Sequence, residues 1–388
     1  MTPKLAVSAG ERSGDDLAAD VVGEIARRAP GAELFGLTGP QMHAAGVESL
    51  ASIDALNVMG LFEVVRHVPG LFRLRRGLKN EFLARGAAGF VGFDAPDFNI
   101  GLARSLKARG VRAVQVVSPS VWAWRRYRVA RIARSLDLLL TLFPFEPEIF
   151  SGTGLNARFI GHPLADALPL APDRAAARRA LALDSGDPVI ALLPGSRPGE
   201  IRRHAAMVAA AAERLAAERN AHNMLLLAET GHRRIFAEAA GRDPADSGMR
   251  VVVGATRQGL VAADLALAAS GTVTLEALLA KTPMVVFYRL AGSTYQLARG
   301  LRLVKSRWIS LPNVLARAAL VPERIQYQAT AERLAADACA WLDDHRRRDD
   351  FMETARRIHV QLACGAAANA AEAILRDLDR ARRGDAGA

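Results

Sequence analysis

Cysteine is nearly absent. Of 388 residues only Cys339 and Cys364 are cysteines. That excludes a disulfide scaffold and any multi-cysteine zinc or iron–sulfur site, and it fits a reducing compartment. The eight histidines fall at no metal-ligand spacing, so no metal and no cofactor are expected. The chain lacks G-x-x-x-x-G-K-[ST], which argues against a P-loop kinase or ATPase. It also lacks G-x-G-x-x-G and G-x-S-x-G, which disfavours a dinucleotide enzyme and an esterase-type elbow. No apolar run approaches the ~20 residues of a membrane-spanning helix. The N-terminus has none of the basic, apolar and small-residue segments of a signal peptide. A cytoplasmic protein is expected. The only Asp-x-Asp, Asp377-Leu378-Asp379, falls in a terminal helical stretch, not at a strand end, and reads as a solvated helix face.

What is present is ordinary in amount and uneven in placement. Apolar residues are 51% and charged residues 23%, a globular balance. The length suggests two domains or three. The formal charge is +11, yet Arg66–Arg134 alone holds 15 Lys/Arg against 3 Asp/Glu. The rest of the chain is therefore close to neutral. Such a region attracts a polyanion: nucleic acid, anionic lipid or a phosphorylated substrate. Arg-rich decoration of solvated helices is the bland alternative.

Short apolar runs alternate with helical periodicity. Leu5–Ser8, Phe90–Phe93, Val114–Val117 and Leu138–Leu142 read as buried strands. A Pro-containing linker follows near Gly161-His162-Pro163, Pro169 and Pro172. The pattern then restarts with Pro188–Leu193, Met224–Ala228, Arg250–Val253, Leu265–Ala269 and Met284–Tyr288. Two open α/β halves with parallel sheets follow. We expect an N-terminal domain over 1–165, a C-terminal domain over 166–340 and a helical tail over 341–388. The tail is expected to pack back on the N-terminal domain or on a partner subunit.

Chemistry in such folds sits beyond the carboxyl ends of the strands. Two Gly/Ser/Thr loops occupy that place in the second half. Pro194-Gly195-Ser196-Arg197 offers hydroxyl and N–H donors and a guanidinium. Ser270-Gly271-Thr272 precedes a helix carrying Glu276 one turn in, where a carboxylate could grip a ribose diol. Either alone could be a plain helix cap; together they favour a diphosphate or nucleotide site. In the first half, Gly10-Glu11-Arg12-Ser13-Gly14-Asp15 and Asp94-Ala95-Pro96-Asp97 put carboxylates at strand ends, as a general base requires. Asp15 and Asp97 are also good cap types, whereas Asp94 is harder to explain as one. Trp122 and Trp124 stand beside Arg125 and Arg126. They read either as a core pair or as a rim for an anionic amphiphile.

Nine segments resemble the lipid A disaccharide synthase family, in family order. They are Gly10-Glu11-x-Ser13-Gly14-Asp15, Met59-Gly60-x-x-Glu63-Val64, Asp94-Ala95-Pro96-Asp97-Phe98-Asn99 and Ser118-Pro119-Ser120-Val121-Trp122-Ala123-Trp124. Then come Phe143-Pro144-Phe145-Glu146, Gly161-His162-Pro163-Leu164, Leu193-Pro194-Gly195-Ser196-Arg197, Ala269-Ser270-Gly271-Thr272 and Ser310-Leu311-Pro312-Asn313. Arg12 stands where the family usually has a small or neutral residue.

The resemblance implies two Rossmann-like parallel-sheet domains facing across a cleft, the B-type glycosyltransferase fold, with no metal. The implied reaction joins UDP-2,3-diacylglucosamine to 2,3-diacylglucosamine 1-phosphate. Its products are a β-1,6-linked disaccharide phosphate and UDP, with inversion at the anomeric carbon. Ser196, Arg197, Ser270, Gly271, Thr272, Glu276 and Asn313 would hold UDP. Asp94 would be the base, with Glu11 and Asp15 as second choices or orienting groups. The implied location is the inner face of the inner membrane of a Gram-negative bacterium, as a peripheral protein, with a second copy of the chain among its expected partners.

Met59–Arg76 interleaves apolar groups such as Met59, Phe62, Leu71 and Phe72 with Arg73, Arg75 and Arg76. Pro69-Gly70 is expected to split it into two short helical pieces. This segment, with Trp122, Trp124, Arg125 and Arg126, is the expected acceptor and membrane surface. The alternative is that its apolar residues pack on the sheet. Rival functions are another UDP-sugar enzyme of this fold, such as an epimerase or a peptidoglycan-type transferase, and a basic nucleic-acid binder. No recognised nucleic-acid module supports the latter, and no nucleic acid is expected as a partner.

Overall fold

A computed structural model describes residues 3–57, 64–122, 126–183, 186–290 and 307–383, without the side chains of 57 and 64–68. The chain divides into two compact units. Met1–Asp166 together with Leu362–Ala388 forms one, and Ala167–Gln361 forms the other.

The first unit is built on seven strands: β1 Lys4–Ala9, β2 Glu33–Thr38, β3 Glu48–Ser52, β4 Gly89–Phe93, β5 Arg112–Val116, β6 Leu138–Thr141 and β7 Asn156–Phe159. They run in the order β3-β2-β1-β4-β5-β6-β7, and every pair is parallel. The second unit uses six: β8 Val189–Leu193, β9 His222–Leu227, β10 Arg250–Val253, β11 Leu265–Ala269, β12 Met284–Tyr288 and β13 Glu323–Ile325. Their order, β10-β9-β8-β11-β12-β13, is also wholly parallel. Central strands such as Val189–Leu193 and Leu265–Ala269 are buried throughout. Helices cover both faces of such a sheet, which is why these strands read as unbroken apolar runs. In each sheet the order reverses once, between β1 and β4 and between β8 and β11. Loops leaving those neighbouring strands diverge and open a crevice.

The first unit has one hydrophobic cluster on each sheet face. One is closed by residues from the far end of the sequence. Ala370, Ala371, Ile374 and Leu378 of helix Ala366–Arg383 join Leu5, Val21 and Ile25. The 341–388 tail is therefore not one piece. Helix His345–Leu362 buries Phe351, Ala355 and Ile358, and Phe351 packs edge-on against Trp341 in the second unit. The residues 363–365 break the helix before the chain rejoins the first unit.

Two sequence expectations need correction. Asp377 is not on a solvated face. It is 5% exposed and holds both ends of the Arg112 guanidinium, at 2.7 and 2.8 Å. Its helix turns that side toward the sheet, and only Asp379 faces out. Pro69 does not split its segment either: Val64–Ala84 is one helix of 21 residues. The proline lies in the second turn, so only the ladder bond to the Val65 carbonyl is forfeited. Leu71, Leu74, Leu78 and Phe82 of this helix pack on the core, while Phe72 remains 61% exposed.

Candidate functional site

In the second unit, loops from β8, β9, β10, β11 and β12 surround a cavity of about 880 Å³. Its lining includes Ser196, Arg197, Ser270, Gly271, Thr272 and Glu276, all singled out from sequence. Gly195 has φ +127°, and a Cβ there would lie 2.7 Å from the Glu200 Cβ. This tight turn brings the chain off β8 into helix Pro198–Arg219. Beneath it His204 is fully buried. Its Nδ1 lies 2.7 Å from the Pro194 carbonyl, and its Nε2 accepts the Arg289 N–H at 3.1 Å. That pattern requires the neutral ring with Nδ1–H donating. Burial, which lowers the His204 pKa, favours the same form.

Ser196 and Arg197 do not offer free backbone amides. Glu200 accepts both N–H groups, at 3.2 and 3.4 Å, and its other oxygen accepts the Tyr288 hydroxyl at 3.0 Å. The loop therefore presents the Ser196 hydroxyl and the Arg197 guanidinium. On the β11 side, Ser270 donates its hydroxyl to the Ile309 carbonyl at 3.1 Å, and Gly271 caps helix Thr272–Leu279. The exposed helix start carries the partial positive charge that favours anions. Glu276 follows one turn later, and burial raises its pKa against the opposing pull of Arg257.

Sequence reading missed several lining residues, Glu200, Arg257, Gln258 and Tyr288 among them. The loop after β10, Gly254-Ala255-Thr256-Arg257-Gln258, has the same strand–glycine–helix grammar as the two that were found. That signal was available.

Asn313 is corrected. It does not line the cavity and is 1% exposed. Its Nδ2 donates to the Val321 carbonyl and to Glu323 Oε1, both at 2.9 Å, and its Oδ1 accepts the Val321 N–H at 2.8 Å. With both ends of the amide engaged, it latches a loop instead of meeting a nucleotide.

In the first unit, Asp94 stands at the exit of β4, at the strand-order reversal. Asp94 and Ala95 have φ of +53° and +39°. Two consecutive non-glycine residues in the left-handed region are uncommon and need support. The support is a buried amide pair. Asn99 Nδ2 and Gln115 Nε2 both donate to the Asp94 carbonyl, at 2.9 and 3.0 Å. Ser8 Oγ donates to Asn99 Oδ1 at 2.7 Å and so fixes which way that amide points. The N–H groups of Phe98 and Asn99 donate to the Ala95 carbonyl, each at 3.0 Å. Gly10 completes the fit, because a Cβ there would lie 2.0 Å from the Ala95 Cβ. Burial raises the Asp94 pKa, opposed by a backbone hydrogen bond from Ala95.

The other carboxylates differ. Asp15 is 2% exposed and accepts N–H groups from Gly39, Gln41 and Met42 at 2.9, 2.8 and 3.1 Å. It anchors the start of helix Pro40–Ala44. Glu11 is exposed, precedes helix Arg12–Arg28 and makes no side-chain capping bond.

Around Asp94, Arg75 lies over the Phe98 and Phe72 rings, at 5.1 and 5.7 Å, and donates to the Asp97 carbonyl. Arg128 pairs with the Asp97 carboxylate. Arg73, Arg76 and Arg126 are exposed. Trp122 packs edge-on against Phe145 at 5.6 Å. Leu71 is partly buried and packs against the core. Met59, Phe62, Trp124 and Arg125 lie outside the described residues.

Known proteins share both this fold and this sequence. The crystal structure of UDP-GlcNAc 2-epimerase from Neisseria meningitidis bound to UDP-GlcNAc matches with a TM-score of 0.64 at 10% identity, over 97% of this chain and 100% of that one. The calicheamicin glycosyltransferase matches at 0.57 with 15% identity, over 98% and 99%. These likenesses concern the fold alone, which is that of B-type glycosyltransferases. The sequence relationships are much nearer. The lipid-A-disaccharide synthase of Chromohalobacter salexigens is 45% identical over 94% of this chain and 95% of its own length. That of Pseudomonas aeruginosa is 44% identical over 97% and 98%. The lipid-A-disaccharide synthetase family profile matches residues 5–375. With nearly the whole length of both units covered at this identity, the chain belongs to the lipid-A-disaccharide synthetase family, glycosyltransferases that form the lipid A disaccharide.

Proposed function

We propose that the protein transfers a diacylglucosamine unit from UDP-2,3-diacylglucosamine to the 6-hydroxyl of 2,3-diacylglucosamine 1-phosphate, with inversion and release of UDP. The observation that carries this reading is convergence. Loops more than 70 residues apart in sequence bring Ser196, Arg197, Ser270, Thr272 and Glu276 to one cavity. Those groups match a diphosphate and a ribose: an arginine and a helix start for negative charge, and a carboxylate for a diol. As UDP departs, charge grows on the β-phosphate, and a guanidinium held beside it favours the transition state over the ground state.

Asp94 is the proposed base. Its burial raises its proton affinity, which strengthens an ionised carboxylate as an acceptor for the hydroxyl proton. The held backbone of Asp94-Ala95 fixes where the side chain starts, as proximity catalysis needs. Glu11 is an exposed orienting group in this scheme.

The enzyme meets its lipid substrates at a membrane surface without crossing it. Phe72 and Tyr127 are 61% and 78% exposed, beside exposed Arg73, Arg76 and Arg126. Rings of this kind suit the acyl boundary and the guanidinium groups suit anionic headgroups.

Incubating the purified protein with the two lipid sugars, followed by mass spectrometry, tests the proposal. A disaccharide monophosphate and an equal amount of UDP are expected. Consumption of UDP-N-acetylglucosamine alone, with no disaccharide from the lipid pair, would replace this reading with an epimerase.

A further inference from the structure

The strands β4, β5, β6 and β7 are neighbours, and their exits all lie at the Asp94 end of the first sheet. Asp94 leaves β4, Trp122 follows β5, Phe143–Glu146 follow β6 and His162 follows β7. Four rings from the last three loops touch in series. His162 and Phe143 have centroids 5.4 Å apart. Phe143 and Phe145 stack at 5.7 Å and 4°. Phe145 and Trp122 meet edge-on at 5.6 Å. Phe143, Phe145 and Trp122 are only partly buried. Aromatic rings left half-open side by side at strand ends contrast with Phe35, Phe90 and Phe93 of the same sheet, which are enclosed.

The run rests on one side chain. Glu146 is 3% exposed, and its Oε2 accepts the Phe143 N–H at 3.0 Å. It thereby folds the Phe143-Pro144-Phe145 turn over itself and sets both phenylalanine rings. Building on the proposed acceptor role of the first unit, we propose that the Phe143–Phe145–Trp122 run, backed by the buried His162 ring, is a binding strip for one acyl chain of the acceptor lipid, with Glu146 as its positioning residue. A single pyranose covers about one ring. A run of three partly open rings in contact suits a hydrocarbon chain better, and ring faces supply apolar area with little entropy to lose.

The state of Glu146 follows from its surroundings. Burial pushes its pKa up to about 8, opposed only by the Phe143 and Leu142 N–H groups, with no charged side chain contributing. The titratable group on the far side of the Phe143 ring is His162. Burial holds its pKa down to about 4, with Asp166 opposing, so it stays neutral near pH 7. Glu148, two residues on, is exposed. The strip therefore stands on a neutral carboxylic acid at pH 7 and on a buried anion above pH 8.

The experiment uses the full chain and acceptors whose acyl chains differ in length. With the wild-type protein, the acceptor KM should fall as the chain lengthens, by about fourfold for each methylene that becomes buried. Phe145→Ala should flatten that dependence and leave kcat and the donor KM within about threefold. Because Phe145→Ala could disturb folding, Glu146→Gln and Glu146→Ala supply a second measurement. Above pH 8 the wild-type acceptor KM should rise, and the Gln variant should not follow. Glu146→Ala should raise the acceptor KM at every pH, with Gln restoring what Ala loses. An unchanged chain-length dependence in Phe145→Ala would overturn the strip, as would a Phe145→Ala effect equally large on a short-chain acceptor, which would assign the rings to the sugar. An alkaline rise that persists in Glu146→Gln would overturn the role of Glu146. Failure of the wild-type protein to use any acylated acceptor would instead overturn the acceptor reading on which the strip depends.

Discussion

The two units share a strand order over six strands and differ in what their strand-order reversals present. Between β8 and β11, the loops present a hydroxyl, a guanidinium and a helix start around a cavity. Between β1 and β4, they present one carboxylate on left-handed backbone, backed by the Ser8–Asn99–Gln115 amide network. The sheets dictate where chemistry can occur, and a few loop residues decide its sign. One reversal is built to receive negative charge and the other to bear it. Support differs in kind as well. Glu200 and His204 hold the second loop by taking its N–H and C=O groups. The first is held by buried side-chain amides acting on backbone carbonyls.

The sharpest way to break this contrast is to neutralise the first reversal. Asp94→Asn should lower turnover by ~10²–10⁴, the usual weight of a general base, and leave UDP affinity nearly intact. The wild-type rate should fall as acid protonates Asp94, with a midpoint above the ordinary aspartate range because burial raises that pKa. The Asn variant should lack that limb. Near-normal turnover in Asp94→Asn would move the base to Glu11.

Removing charge from the other reversal should have the next largest effect. Arg197→Ala should weaken UDP binding and slow turnover by roughly 10–100-fold, the range of a charge-assisted hydrogen bond. Titration calorimetry with UDP beside steady-state kinetics measures both. Unchanged values would reduce Pro194–Arg197 to a structural turn. Asn313→Ala should act differently, by loosening the fold. It strands a buried carbonyl and a buried N–H of Val321, which costs about 1–3 kcal/mol. Thermal melting should show the loss with and without UDP. Normal stability combined with lost UDP affinity would return Asn313 to the nucleotide.

The smallest expected effect concerns the membrane. Wild-type protein should co-sediment with anionic liposomes, and Phe72→Ser should weaken retention in high salt by several-fold. Release of the wild-type protein by salt alone would mean that charge suffices. No binding at low or high salt would remove the membrane role from this face. Leu71→Ser is a poor test of insertion, because Leu71 packs against the core.

Nine strands were legible because their runs are largely apolar and most of them end at or next to glycine, proline or serine. Four were not. Glu33–Thr38 hides behind Gly36, whose missing Cβ would lie 1.8 Å from the Val7 carbonyl oxygen. Glu48–Ser52 is a polar edge with a register shift opposite Gly36 and Leu37. Asn156–Phe159 and Glu323–Ile325 are short edges with little apolar signal. In the second unit's site, loops with glycine beside serine were found. Tyr288 was missed because nothing local marks a side chain that only the fold brings to the cavity, whereas Arg257 follows a strand–glycine–helix turn that could have been read. Asn313 and Asp377 were misread for one reason: sequence shows a polar residue but not whether the chain folds back to occupy it.

The return of the chain at Leu362 imposes an order on synthesis. Residues of β1–β7 emerge from a ribosome first, yet one face of their sheet needs Ile374 and Leu378. Arg112 also needs Asp377, 265 positions later. The later-emerging unit, Ala167–Gln361, has its own strands complete before helix Ala366–Arg383 exists. Domains generally fold as units once their segments are available. The unit begun first is therefore the one finished last. A chain stopped anywhere before that helix would carry an open apolar sheet face, a natural target for chaperones and proteases.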